Sequence, residues 1–297
     1  MEIRFFTYFT VLAEQKGFTK AAERLHISQP SLSNAIKNME IILGMKLIDR
    51  TTREFRLTEE GEFFYREAKK LIRYHENIIN EMENLKKGGI GELSIGLIES
   101  SMYWLPEILN EFRNQFPNVK VKLFEVLSLK EVEEALENYD IQLAITNQFL
   151  HREEITTIPV YQEHLVALLP GNHPLSCREN ICLTQLADEP FIVSREGFQT
   201  REDILRAFRE IGVVSNIQFE IERFETATRL VEEQLGITIV PENYLRDVKN
   251  AICVKPISDI PLKRTVYLAY EKHRYLPRTA SGFIELVKRF FQGNKFM

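Results

Sequence analysis

The sequence predicts an all-α head carrying a two-stranded hairpin, then a long helix, then a larger open α/β domain of two lobes. Three observations predict it. Residues 3–43 hold three helical hydrophobic patterns in close succession. Residues 58–87 hold one continuous pattern with no proline. From about residue 91 onward, short apolar runs alternate with amphipathic ones, the signature of strands interleaved with helices. The 297 residues suffice for two or three domains with their own cores.

Composition narrows the class. With 44% hydrophobic and 27% charged residues the chain reads as an ordinary globular protein. No apolar run approaches the roughly 18–20 residues needed to span a bilayer, so no membrane partner is expected. The first dozen residues are aromatic-rich but carry Glu2 and Arg4, and lack the basic start and small-residue cleavage site of a signal peptide. A cytoplasmic location is the expectation. Cys177, Cys182 and Cys253 fit a reducing compartment. The net charge of -5 is unevenly spread: residues 1–57 hold nine Lys/Arg against six Asp/Glu, and the acidic excess lies in the last two-thirds. The head is the basic segment, where phosphate contacts could be made, although many solvated surfaces carry such an excess.

In the head, Phe5, Phe6, Phe9, Leu12 and Ala13 recur at helical spacing, and Gly17 is expected to stop that helix. Thr19 is the expected N-cap of a short second helix carrying Ala21, Ala22 and Leu25. Ser28 caps a third, with Pro30 in the first turn, where a missing N–H is tolerated. The third helix buries Leu32, Ala35, Ile36, Met39 and Leu43. Gln29, Ser33 and Lys37 form a separate polar stripe flanked by Ser31 and Asn34. Short polar side chains on the N-terminal half of such a helix suit reading base edges in a major groove, although a solvated face has the same pattern. Gly44 ends the helix. Two short apolar runs, 46–48 and 55–57, then flank Asp49-Arg50-Thr51-Thr52-Arg53, giving a wing whose Arg50 and Arg53 can reach phosphate or a minor groove.

The run Phe18-Thr19-Lys20-Ala21-Ala22-Glu23-Arg24-Leu25-His26-Ile27-Ser28-Gln29-Pro30-Ser31-Leu32-Ser33 resembles the helix-turn-helix of LysR-type transcription regulators. So do Leu43-Gly44-Met45-Lys46-Leu47-Ile48-Asp49-Arg50 and Leu57-Thr58-Glu59-Glu60-Gly61. Met39 and Ile48 depart from the usual leucine and phenylalanine but stay apolar. The resemblance implies a winged helix-turn-helix that places Thr19, Gln29, Pro30, Ser31, Ser33, Asn34 and Lys37 at the groove, with Arg50, Thr51 and Arg53 at the backbone. It also implies a double-stranded DNA operator, a small-molecule effector and RNA polymerase as partners, with no cofactor and no metal.

In the long helix Phe64, Ala68, Leu71, His75, Ile78, Met82 and Leu85 step alternately by 4 and 3, a heptad seam with one polar member. A helix of about 45 Å needs a partner along its length, and a second chain supplies both the seam and the second recognition helix of a palindromic site. The resemblance allows a homodimer or homotetramer.

Gly88-Gly89-Ile90-Gly91 marks the domain boundary. The expected division is head 1–57, linker helix 58–87 and α/β domain 88–297, with lobe one at about 91–161 and 271–297 and lobe two at about 162–270. The chain is expected to cross between lobes near Gln162 and Tyr270. This part resembles the LysR effector domain, which is similar to periplasmic solute-binding proteins. One echo is Leu235-Gly236-Ile237-Thr238-Ile239-Val240-Pro241, with Gln234 where a small residue is usual. Ser100, Ser101, Ser128, Thr200 and Thr226 sit at predicted helix starts, where free N–H groups and the helix dipole favour an anion. The resemblance places effector contacts there and at Thr146 and Asn147; plain N-capping is the other role open to each hydroxyl. Arg152, Arg195 and Arg201 are further candidates to balance a carboxylate.

Enzyme chemistry finds no anchor. The histidines at 26, 75, 151, 164, 173 and 273 form no zinc-type motif, and no nucleophile elbow, Walker loop or dinucleotide fingerprint is present. A pure solute-binding protein leaves the head unexplained. A redox sensor would rest on the proximity of Cys177 and Cys182 alone. A regulator whose DNA binding responds to a small organic anion accounts for the whole chain.

Overall fold

The structure, a computed structural model, describes residues 1–49, 55–86, 91–247 and 251–293. It divides into two compact units, Met1–Lys86 and Lys87–Met297.

The first unit packs α1 (Ile3–Gln15), α2 (Phe18–Arg24) and α3 (Gln29–Leu43) around Phe9, Leu12, Ala21, Ala22, Leu32, Ile36 and Met39. The end of α1 differs from expectation. Lys16 takes the left-handed conformation (φ 50°), while Gly17 is extended and serves as the N-cap of α2. Thr19 is therefore an exposed residue inside α2 rather than its cap. Ser28 does cap α3, its Oγ accepting from Ser31 N at 3.3 Å, and Gly44 closes that helix at φ 67°. Strands β1 (Ile48–Asp49) and β2 (Arg56–Leu57) pair antiparallel as the stem of the hairpin.

Helix α4 (Glu59–Lys86) begins inside the head. Phe64 stacks on Phe6 and meets Phe9 edge-on, and Ala68 is fully buried. The first two seam positions are thus consumed by α1. Leu71, Ile78 and Met82 remain 40%, 44% and 61% exposed. No described helix is long and apolar enough to cross a membrane.

The second unit is built on a sheet of nine strands. Lobe one contains β3 (Glu92–Leu97), β4 (Lys120–Glu125) and β5 (Leu143–Thr146), with α5 (Leu105–Gln115), α6 (Leu129–Glu137) and α9 (Arg278–Gly293). Lobe two contains β7 (Pro190–Ser194), β8 (Asn216–Ile221), β9 (Ile237–Pro241) and β10 (Ile252–Pro256), with α7 (Gln199–Glu210) and α8 (Phe224–Glu232). Two long strands join them, β6 (Ile155–Pro170) and β11 (Lys263–Glu271). The order is β4-β3-β5-β11-β6-β9-β7-β8, with β10 also on β6.

Register locates the crossings. From Ile155 to His164 β6 pairs with β11; from Leu165 onward it pairs with β9 and β10. The first crossing falls at 164–165, close to the expected Gln162. The second falls at 262–263 rather than near Tyr270, because β11 pairs along its whole length with the 155–164 half of β6, and with β5 at Tyr267–Ala269. The cores agree: Tyr161, Val266 and Leu268 pack with lobe one, Leu165 and Leu262 with lobe two.

Candidate DNA interface and ligand cavity

On α3 the buried and polar faces separate as helical periodicity requires. Leu32, Ile36 and Met39 are buried, with Ala35 and Leu43 half-buried. Gln29, Pro30, Ser31, Asn34 and Lys37 are exposed, and Ser33 is half-buried among them. Rigid packing beneath and short polar side chains above make a surface that can enter a groove without rearranging the head. Arg50, Thr51 and Arg53 lie outside the described residues. Sequence reasoning overlooked Glu40, which is buried on the same helix.

In the second unit the expected hydroxyls fall into three groups. Ser100 and Thr200 are brought together, although they belong to different lobes. Arg264 spans them, its Nη1 donating to Thr200 Oγ1 at 2.5 Å and its Nη2 reaching Ser100 Oγ at 3.4 Å. Its Nε donates to Glu163 Oε1 at 2.5 Å; Glu163 also accepts from Ser100 Oγ at 3.1 Å and from Asn243 Nδ2 at 3.3 Å. The Arg264 and Glu163 side chains are 4% and 0% exposed. A buried ion pair needs this many partners to offset its lost hydration. Thr200 lies in the first turn of α7, whose N-cap is Phe198, and Ser100 lies in a 3-10 turn, Glu99–Tyr103, that precedes α5. Neither is the helix cap the sequence suggested.

Ser128, Thr146 and Asn147 form the second group. Ser128 caps α6 with a complete capping box through Glu131. The Glu131 carboxyl is held below its usual range: burial opposes this, but the N–H groups of Leu127 and Ser128 outweigh it. Thr146 is buried and accepts from Gln148 N, and Asn147 lines a cavity of about 410 Å³. That cavity runs from Leu129, next to the Ser128 cap, to Gln199, next to Thr200, and is lined by His151, Arg206, Lys263 and Arg264, with Asp203 the one acid on its wall. Asp203 is itself paired with Arg206 at 2.9 Å.

Ser101 and Thr226 stand apart. Ser101 is fully buried and donates to Ile98 O at 2.7 Å. Thr226 is exposed on α8, and the N-terminus of that helix is already occupied by the Glu99 carboxylate, which accepts the Phe224 N–H. Burial pushes the Glu99 carboxyl up to about 7, against the opposing influence of that N–H, Arg223 and Arg264.

The three arginines suggested as carboxylate partners are engaged elsewhere. Arg195 meets Glu222 at 3.1 Å and Glu131 at 3.8 Å, Arg201 meets Glu220 and Ser194 O, and Arg152 pairs with Glu137. Arg264, itself paired with Glu163, is the cation that meets the hydroxyls of both lobes. Its only sequence signal was a cation at the start of an apolar strand, matched by an acid within β6. A larger cavity of about 960 Å³ shares Phe149, Lys263, Thr265 and Tyr267 with the smaller one, but none of the expected effector residues lines it. We therefore centre the ligand site on the smaller one. Among the described residues no cluster of His, Cys, Asp or Glu is arranged to hold a metal, and all three cysteines are free thiols.

Comparison with known proteins follows the same division. Residues 3–62 match the model for the bacterial regulatory helix-turn-helix protein of the lysR family, and residues 86–292 match the LysR substrate binding domain. The chain is 33% identical to the HTH-type transcriptional regulator AlsR of Bacillus subtilis, covering 93% of this chain and 92% of that one. It is 30% identical to the uncharacterized HTH-type transcriptional regulator YcgK of the same organism, over 96% and 94%. Among solved structures, full-length CbnR complexed with its target DNA superposes with a TM-score of 0.75 at 23% identity, covering 97% of this chain and 99% of that one.

Proposed function

The chain belongs to the LysR family, as a DNA-binding transcription regulator with an effector-binding domain, and from that premise we propose that its effector is a small organic anion, most simply a carboxylate, bound beside Arg264. The observation that carries this reading is the lining of the 410 Å³ cavity: Lys263 and Arg264 face it, Arg206 and Asp203 pair with each other, and no further acid stands on its wall. A guanidinium has five N–H donors in a planar fork. Arg264 uses three on Glu163, Thr200 and Ser100. Its remaining donors, the Asn147 amide and the first turns of α6 and α7 are suited to a carboxylate. Ser128, Thr146, Ser100 and Thr200 act around the ligand by holding these elements; Ser101 and Thr226 take no part.

The same reading assigns the DNA contacts to the exposed α3 stripe of Gln29, Pro30, Ser31, Ser33, Asn34 and Lys37, with Thr19 beside it and Arg50, Thr51 and Arg53 from the hairpin tip. Self-association runs along α4 from Leu71 onward. Residues 1–57, 58–87 and 88–297 act as head, linker and sensor, and the output reaches RNA polymerase in the cytoplasm. We assign the chain no reaction of its own. An effector can shift the DNA-binding state only through unequal affinity for the two arrangements of the sensor.

Calorimetric titration of the full chain with small carboxylates and their neutral amides tests the assignment. An acid should bind, its amide should not, and Lys263→Gln should weaken the acid at least about tenfold, a loss of about 1.4 kcal/mol. An amide that binds as tightly as its acid, or a Lys263→Gln variant of unchanged affinity, would refute the reading.

A further inference from the structure

Glu40 stands near the end of the recognition helix and is 3% exposed. Burying a carboxylate is costly unless hydrogen bonds replace its water. Here the replacements come from the backbone entering the hairpin. Glu40 Oε1 accepts from Leu47 N at 2.9 Å and from Ile48 N at 3.4 Å, and Oε2 lies 3.6 Å from the largely exposed Lys46 ammonium. The carbonyls of the same strip are held by the start of α4. Thr58 Oγ1 donates to Lys46 O at 2.7 Å and Thr58 N to Leu47 O at 3.1 Å. Gly61 approaches so closely that a Cβ there would stand 2.0 Å from Leu47 O. Residues 46–48 are thus held on one side by α3, through Glu40, and on the other by α4.

We propose that Glu40 is a positioning residue for DNA recognition: it fixes the hairpin stem β1–β2 beside α3, so that helix and hairpin engage one duplex together. A different role for the same carboxylate, as a charge that tempers Lys46, predicts the opposite outcome on mutation. Removing a negative charge near DNA strengthens phosphate binding in general. Removing a positional tie weakens it, because the hairpin no longer meets the backbone while the helix is in the groove.

The test uses the full chain and a mixed-sequence duplex of about 40 bp, titrated by fluorescence anisotropy between about 50 and 200 mM salt. Glu40→Gln keeps an oxygen that can accept from both N–H groups and should bind within about twofold of the parent. Glu40→Ala should bind at least about tenfold more weakly, with a salt slope shallower by about one. Hydrogen exchange at the Leu47 and Ile48 amides should accelerate in Glu40→Ala and not in Glu40→Gln. A general loss of stability does not alter the salt slope of the folded fraction, so the slope separates positioning from mere support. If Glu40→Ala does not fold, Glu40→Asp, one methylene short, takes its place with the same readouts. Equal strengthening in the Gln and Ala variants overturns the proposal. So does an unchanged slope in Glu40→Ala, or weakened binding in Glu40→Gln while both amides stay protected.

Discussion

The Glu99 carboxylate accepts the Phe224 N–H with both oxygens, at 3.1 and 3.2 Å, and so ties the turn that follows β3 in lobe one to the first residue of α8 in lobe two. Arg223, which pairs with Glu125, stands beside it, as do Tyr244 and, farther off, Arg264. Its carboxyl is raised to about 7 from an ordinary value of 4.5, chiefly by burial. A raised acid favours the folded state while it holds its proton. That contribution is complete below about 4.5 and is lost as pH climbs through about 7. Glu99→Gln mimics the protonated form. The difference in melting temperature between variant and parent should therefore move in the variant's favour from pH 4.5 to pH 7 and level off above. A difference that does not vary with pH would show that Glu99 titrates as an ordinary carboxylate.

The Glu163–Arg264 pair should behave as a unit. Glu163→Ala leaves a buried guanidinium without its counter-charge and should cost about 3–5 kcal/mol in urea unfolding of the sensor. The double change Glu163→Leu with Arg264→Met removes both charges and should recover most of that loss, while abolishing the response to a carboxylate. Additive losses in the double variant would mean the two side chains act separately.

The polar stripe on α3 gives a contrast between two kinds of DNA contact. Gln29→Ala or Ser33→Ala should lower specific affinity by about 1–3 kcal/mol and leave non-specific binding nearly unchanged. Lys37→Ala, and Arg50→Ala or Arg53→Ala on the hairpin, should weaken binding to every sequence and reduce the salt slope by about one each. Gel shifts at two salt concentrations separate the classes; uniform behaviour across all five variants would remove α3 from the groove.

Self-association should depend on the exposed half of α4. Leu71→Glu with Ile78→Glu places two charges on the free part of the seam, and sedimentation should show a smaller assembly while the head keeps its helicity. Phe64→Ala, by contrast, should destabilise the head itself by about 1–3 kcal/mol, less than a fully buried ring would cost, because its half-buried ring lies against Phe6 and Phe9. A double Glu variant of unchanged mass would place the contact elsewhere.

What the sequence revealed follows from the range of the interactions involved. The α3 stripe, the Ser128 capping box and the Gly44 terminus are local, set by side chains three or four residues apart, and were legible as such. Thr200 and Thr226 are expected near helix starts, where contact with an effector and plain N-capping are both open to a hydroxyl. Here Phe198 and Arg223 are the N-caps, and for α8 a carboxylate from 125 residues away supplies the side-chain acceptor. The Glu163–Arg264 pair joins residues 101 apart in the chain, and no periodicity announces it. The short strand β10 escaped notice because its five residues make no alternation long enough to distinguish. The second crossing was misplaced for a related reason: the apolar run of β11 is visible in sequence, but the lobe it pairs with is not.

The packing of Phe64 on Phe6 and the burial of Ala68 give α4 the mechanics of an oar. Its inner end is fixed in the head, and its free apolar face starts at Leu71, about 10 Å farther along the helix. Whatever grips the outer portion turns a shaft already joined to α3 through the α1 core. A change of a few degrees in the angle at which two such shafts cross would then sweep each head through an arc proportional to the distance from the grip. The separation of two half-sites on DNA could in this way be retuned with no side chain in either head changing its rotamer.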